Sequence, residues 1–149
     1  MKLAEALQER ADLSRRLEQL QARMNLNALV QEGETTPEDP DELLKEFEKD
    51  AARLQEVIAA INLRNAQTVC DGRTLTEMLA ERDVLTIRIR TLQDLVTHAS
   101  GTAHRARNSE IRILPSVNVR ELQKQADQLA RQLRRLDNTI QELNWLTEL

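Results

Sequence analysis

The feature that most constrains this chain is a regular apolar stripe in residues 122–143. Alternating steps of four and three residues meet an apolar side chain every time, at Leu122, Ala126, Leu129, Leu133, Leu136, Ile140 and Leu143. Gln, Arg, Asp and Lys fill most positions between them. A narrow stripe with a period of about 3.5 residues predicts an amphipathic helix that packs against other helices as in a coiled coil. We therefore expect a fold made of long helices.

The composition fits one soluble helical domain, residues 1–149. Hydrophobic residues make up 40% of the chain and charged residues 31%, which is typical of a folded protein rather than a disordered one. Phe47 and Trp145 are the only aromatic residues. The core must therefore consist of Leu, Ile, Val and Ala, which suits packed helices better than a broad globular interior.

Three further segments repeat the four-and-three spacing, so the sequence predicts four helices. Helix one carries Leu3, Ala6, Arg10, Leu13, Leu17, Leu20 and Met24, and helix two carries Leu44, Phe47, Ala51, Leu54, Ile58, Ile61 and Asn65. Helix three carries Leu75, Met78, Arg82, Leu85, Ile89, Leu92, Val96 and Ala99. Arg10 and Arg82 interrupt their stripes. We expect each to reach water or to pair with an acid on a neighbouring helix, with a functional role as the alternative.

Turn and cap residues predict where three of these helices begin. Asp39 and Pro40 form a typical helix start, with Asp as the N-cap and Pro at the first helical position. This interpretation is preferred over a calcium loop for the acidic residues 32–50, which lack the alternating oxygen ligands and the glycine of such a loop. Asp71 and Gly72 predict a tight turn, followed by Thr74 and Glu77 as a capping box for helix three. Asn118 and Glu121 predict an equivalent cap on the last helix.

Two short segments resemble strands. The apolar residues within 27–31 are too closely spaced for a helix stripe. Residues 111–113 alternate between apolar and polar side chains before Pro115. In an up-down-up-down arrangement, the two connections that contain these segments lie at the same end. The predicted fold is therefore a mainly all-α, up-down four-helix bundle with a possible short two-stranded β-ribbon at one end. A pair of separately projecting helical hairpins is the alternative.

The candidate functional residues are Val84, Ile87 and Leu95, which form a second apolar line on helix three. This line widens the apolar arc of the helix beyond what one bundle contact requires. Such a helix either lies deeper in the bundle or contributes a face to another subunit. We take the line as a candidate oligomer interface.

The charge balance argues against nucleic-acid binding. The net charge is −4, whereas a nucleic-acid binder usually carries an excess of Lys and Arg on one face. Arg131, Arg134 and Arg135 cluster on the last helix, but Asp127 and Glu142 are close in sequence, so a solvated face of mixed charge is expected.

The sequence also predicts no cofactor, metal or membrane span. His98 and His104 lack a metal partner at helical spacing, and Cys70 has no neighbouring base in sequence that would activate its thiol. We expect both histidines at the surface or at loop ends and Cys70 in a loop. The first residues lack the apolar core of a signal peptide, and the longest apolar run, residues 57–61, is far too short to span a membrane. Cytoplasm is the expected compartment, with which the single cysteine agrees.

Several short runs resemble a known family. They are Asn27-Ala28-Leu29-Val30-Gln31-Glu32-Gly33, Asp71-Gly72-Arg73-Thr74-Leu75-Thr76-Glu77, Arg82-Asp83, Ser109-Glu110-Ile111 and Asn144-Trp145. In order and extent they resemble the septicolysin-like family of small, uncharacterised bacterial helical proteins. The family name implies a cytolysin, that is, a secreted pore-forming protein, but the resemblance implies no catalytic residues.

Two functions follow as hypotheses. The first is a non-enzymatic, self-associating helical interaction protein of unknown biochemical role, whose exposed stripes bind another copy or a protein partner. The alternative is a membrane-active, pore-forming protein, as the resemblance implies. The first is favoured because the polar faces carry acids as well as bases and lack anchoring aromatic residues. No clustered acid, base and nucleophile indicates an enzyme.

Overall fold

The computed structural model describes residues 1–101 and 111–149 and confirms the all-α class. Four long helices follow one another: α1 (Leu3–Leu26), α2 (Pro40–Gln67), α3 (Leu75–Ala99) and α4 (Val119–Leu146). Two short strands, β1 (Val69–Cys70) and β2 (Arg73–Thr74), lie between α2 and α3. The described residues form two compact units, one of Met1–Thr74 with Leu143–Leu149 and one of Leu75–Glu142. The assignment of residues 1–149 to one domain stays a prediction.

In the first unit, α1 packs along α2 with the predicted face inward. Leu3, Ala6, Leu13 and Leu20 are at most 6% exposed. Burying a leucine side chain contributes about 1.5–3 kcal/mol, so this stripe is a main source of stability for the helix pair. Arg10, the residue that interrupts the stripe, is exposed.

The predicted apolar stripe of α2 was wrong, because the structure buries the neighbouring line of residues instead. Leu44 and Ile58 are 46% and 38% exposed, while Leu43, Asp50 and Val57 are buried. The two lines share Phe47, Leu54 and Ile61, so both satisfy the four-and-three spacing. The sequence argues against the line that is buried, because this line contains the charged residue Asp50 and an unpaired buried carboxylate is costly. Asp50 is tolerated there because it has an ionic partner on α1.

The start of α2 and the turn after it confirm two predictions. Asp39 accepts a hydrogen bond from the backbone N–H of Asp41 at 2.9 Å, and Pro40 occupies the first helical position. Asp71 and Gly72 both have positive φ, at 50° and 77°, as a tight two-residue hairpin turn requires. The turn joins β1 to β2 in an antiparallel pair, with Val69 opposite Thr74.

The β-ribbon was therefore predicted in the wrong place. Residues 27–31 and 111–113 contain no strand, and Cys70 lies in β1 rather than in a loop. Residues 27–31 begin a loop because Asn27 ends α1 and is bonded on both sides. Its Nδ2 donates to the Arg23 carbonyl at 2.8 Å, and its Oδ1 accepts from the Glu38 backbone N–H at 3.1 Å. The predicted polar loop around His104 lies outside the described residues.

The two chain ends meet in the first unit. The Leu3 N–H donates to the Thr147 carbonyl and the Leu149 N–H donates to the Met1 carbonyl, both at 2.9 Å. Lys2 Nζ lies 2.5 Å from Glu148 Oε1. No sequence pattern indicated this antiparallel bridge, because it joins residues that are far apart in the chain.

In the second unit, α3 and α4 lie side by side. Leu75, Met78, Leu85 and Ile89 of α3 are buried, as their spacing predicted. On α4, every residue of the predicted stripe is buried or half-buried. Gln132 Nε2 on α4 donates to Glu81 Oε1 on α3 at 3.0 Å. The predicted cap of α4 is confirmed, because the Glu121 N–H donates to Asn118 Oδ1 at 3.1 Å.

Candidate functional site

The three candidate residues lie together on the exposed side of α3. Val84 is 53% exposed, Ile87 is 61% exposed and Leu95 is 41% exposed. Residues three or four apart on a helix are neighbours, so Val84 and Ile87 touch the same patch and Leu95 lies two turns further along it. The buried residues Met78, Leu85 and Ile89 occupy the opposite side. We refer to Val84, Ile87 and Leu95 as the α3 line.

A groove of 420 Å³ lies beside Ile87. It is lined by Ile87, Arg88, Thr91 and Leu92 of α3 and by Gln125, Gln128 and Leu129 of α4. Leu92 and Leu129 supply apolar surface and the glutamines supply amide groups that can donate and accept hydrogen bonds. The groove extends the apolar surface of the α3 line toward α4, and it is wide enough to receive a side chain.

Charged residues border the α3 line on both sides. The helical period of 3.6 residues places Asp83 and Arg90 on one side of the line and Glu81 and Arg88 on the other. On each side, the acid therefore precedes the base by seven residues. Arg82 Nε and Nη2 lie 3.3 Å from the carboxylate of Asp83.

Arg10 reaches water, which is one of its two expected outcomes, whereas the partner of Arg82 differs from the one expected. Arg10 is exposed, so it needs no internal partner. Arg82 is half-buried and hydrogen-bonds to Asp83, the next residue of its own helix, rather than to an acid on a neighbouring helix. We assign neither arginine a functional role.

One charged residue of the core, Asp50, was not predicted from the sequence. Asp50 of α2 is 6% exposed, and its Oδ2 lies 2.9 Å from Arg16 Nη2 of α1. The contact has an ion-pair distance but not the alignment of a hydrogen bond, and no other described residue donates to this oxygen. Arg16 also reaches Glu46 at 3.3 Å. The burial of Asp50 could have been predicted from its helical spacing, which places this residue on the same line as Leu43 and Val57.

The described residues contain no group of three or more His, Cys, Asp or Glu side chains that could hold a metal ion. Cys70 is a free, half-buried thiol. His98 is exposed at the end of α3, where its Nδ1 lies 2.8 Å from the Asp94 carbonyl. Across the described ranges, no helix is long and apolar enough to cross a membrane.

The comparisons place the chain in a family. The chain belongs to DUF6847, a family of unknown function whose model matches residues 10–149. It is also similar to a solved structure, described as a functionally unknown conserved protein from Corynebacterium diphtheriae. The two share 37% sequence identity and a TM-score of 0.94, over 100% of this chain and 98% of that one. No curated protein matches the chain.

The resemblance to the septicolysin-like family is therefore wrong, because the matching family is DUF6847 and neither match carries a cytolysin description. The runs that suggested it occupy structural positions. Residues 27–33 form the loop after α1, residues 71–77 form the hairpin turn and the start of α3, and Asn144 and Trp145 lie in the last turn of α4. Ser109 and Glu110 lie outside the described residues. The family name was the reason for the pore-forming hypothesis, and neither match supports that hypothesis.

Proposed function

We propose that this protein is a non-enzymatic helical interaction protein that self-associates through the α3 line. The observation that carries the proposal is the exposure of Ile87, a large aliphatic residue that is 61% exposed at the centre of the line. Val84 lies one turn before it, and the groove lined by Leu92 and Leu129 lies beside it. Contiguous apolar surface of this kind typically marks an interaction site.

A second copy of the chain is the simplest partner for this surface. Most soluble oligomers are symmetric, and a two-fold dimer uses the same patch on both copies. Each copy would then bury the three aliphatic side chains of the other. The hydrophobic gain scales with the apolar area removed from water, and it is counted twice in such a dimer.

The proposal includes no catalysis and no cofactor. It rests on the sequence, in which no acid, base and nucleophile are clustered. The acidic net charge of −4 also favours a protein partner over nucleic acid. We place this function in the cytoplasm, because the single cysteine cannot form a disulfide within one chain.

The test compares two substitutions of equally exposed aliphatic residues. Ile87→Glu introduces a charge into the α3 line, whereas Leu63→Glu introduces the same charge on α2, where Leu63 is also 61% exposed. We expect light scattering to show a lower mass for Ile87→Glu than for the wild type, and an unchanged mass for Leu63→Glu. Helical circular dichroism should be retained in both variants, since neither residue is buried.

Two results would count against the proposal. A wild-type mass in the Ile87→Glu variant would show that the α3 line takes no part in association. Loss of all helicity in that variant would show that Ile87 contributes to the fold of the single chain.

A further inference from the structure

We infer that two copies of α3 pack antiparallel, centred between Val84 and Ile87, and that the flanking charges fix this orientation. The inference rests on the proposed self-association and adds the arrangement of the two copies. It follows from two independent features of α3, the positions of its exposed apolar residues and the order of its charged residues.

The apolar residues fit an antiparallel pair about one centre. With the two-fold axis between Val84 and Ile87, Val84 of each copy lies opposite Ile87 of the other. The same axis places Ala80 opposite Thr91, and both are exposed residues of modest size on the same side of α3. Val84 and Ile87 therefore meet each other at the centre, and smaller side chains face each other on either side. Leu95 of each copy lies further out, opposite Thr76 of the other.

The charged residues complement each other in the same arrangement. A two-fold axis perpendicular to the helices brings each side of one α3 against the same side of the other. Asp83 then lies within two residues of Arg90 of the second copy, an offset of about 3 Å at 1.5 Å rise per residue. On the other side, Glu81, which also accepts a hydrogen bond from Gln132 of its own α4, lies at the same small offset from Arg88 of the second copy. The dimer thus gains four contacts between opposite charges, against two between like charges, where Glu77 of each copy lies opposite Asp94 of the other.

A parallel arrangement gives the opposite result. A two-fold axis parallel to the helices brings opposite sides of the two copies of α3 together, so Asp83 would lie near Glu81 and Arg90 near Arg88 of the second copy, and these flanking contacts would join like charges. Exposed ion pairs add little affinity, but like charges that face each other in an interface are unfavourable. The charges of α3 therefore select the orientation, while the aliphatic residues supply the attraction.

Charge reversal tests the orientation. In an antiparallel dimer, Asp83→Arg places two guanidinium groups together twice, and Arg90→Asp places two carboxylates together twice. We expect each single variant to weaken self-association about tenfold, by sedimentation equilibrium at low salt. The double variant D83R/R90D restores opposite charges and should associate within about threefold of the wild type. Added salt should reduce the defect of the single variants.

The chain offers matched controls for net charge. Glu48→Arg and Lys49→Asp make the same changes in net charge at exposed sites of α2, and both should associate like the wild type. Equal weakening by these controls would overturn the inference, because net charge would then explain the effect.

Two further outcomes would also overturn it. One is association of both single variants at or above the wild-type level, because a parallel dimer would gain opposite-charge contacts from each reversal. The other is a double variant as weak as the single ones. These outcomes leave the proposed self-association standing, which fails instead if Ile87→Glu associates like the wild type.

Discussion

Asp50 and Arg16 join α2 to α1 through an ion pair of 2.9 Å in which the carboxylate is buried and the guanidinium is half-exposed. The Asp50 side chain is 8% exposed and the Arg16 side chain 51% exposed. The acid therefore depends on this partner, whereas the base can also be solvated by water. Such an asymmetric pair costs more when the base is removed than when the acid is replaced.

A double-mutant cycle should expose this asymmetry. Arg16→Ala leaves a buried carboxylate without its partner and should lower the free energy of unfolding by about 1–3 kcal/mol. Asp50→Leu removes the buried charge and should be neutral or stabilising. In the Asp50→Leu background, Arg16→Ala should have little effect in urea unfolding. An unchanged cost in that background would show that Arg16 acts through something other than Asp50.

The α4 stripe should lose most stability at its best-buried large residue. Ile140 is 1% exposed, so Ile140→Ala should cost about 2–5 kcal/mol. Leu133 is half-buried, and Leu133→Ala should cost less because part of its surface already meets water. Gln141→Ala, at an exposed site, serves as the control. The prediction fails if Leu133→Ala lowers the urea midpoint more than Ile140→Ala.

The cap of α2 should depend on the side-chain acceptor at residue 39. Asp39→Ala removes the oxygen that accepts the Asp41 N–H and should cost about 0.5–2 kcal/mol. Asp39→Asn keeps an acceptor oxygen and should cost less. Thermal unfolding of the two variants compares them directly, and equal losses would indicate that the negative charge matters rather than the hydrogen bond.

The bridge between the chain ends should depend on pH. Hydrogen bonds from Lys2 and then from the amino group of Met1 lower the pKa of Glu148 below its ordinary value of 4.5. The folded state therefore holds this proton less tightly than the unfolded state, and the contribution to stability is present above 4.5 and is lost as the pH falls through the lowered pKa. Glu148→Gln should be less stable than the wild type at neutral pH, with a difference that disappears in acid.

A neighbouring acid provides the control for this pH dependence. Glu142 is exposed, and Glu142→Gln should not change the pH profile of the urea midpoint in the same way. A gap between Glu148→Gln and the wild type that widens on acidification would contradict the assigned sign.

The regular stripes made most of the fold predictable. Leu3, Ala6 and Leu13 of α1 and Leu75, Met78 and Leu85 of α3 are buried where the four-and-three spacing placed them. Local chemistry also located the starts of α2 and α4 and the hairpin turn, because cap and turn residues act through hydrogen bonds to their nearest neighbours.

The errors arose where contacts between residues far apart in the sequence determine the local structure. Two lines on α2 satisfied the same spacing, and the choice between them depended on Arg16 of another helix. Residues 27–31 had the composition of a strand, but a strand needs a pairing partner, and Asn27 is bonded to Arg23 and Glu38 instead. The spacing of Val84, Ile87 and Leu95 allowed either burial deeper in the bundle or exposure on a face of the helix. The fold leaves all three exposed.

The mass of the wild-type protein in solution tests the central claim most directly. Sedimentation equilibrium over a range of concentrations should show a mass that rises from that of one chain toward that of two, because the α3 line of one copy covers that of another. A mass that stays at one chain up to high micromolar concentration would contradict self-association, and with it the function proposed for this surface.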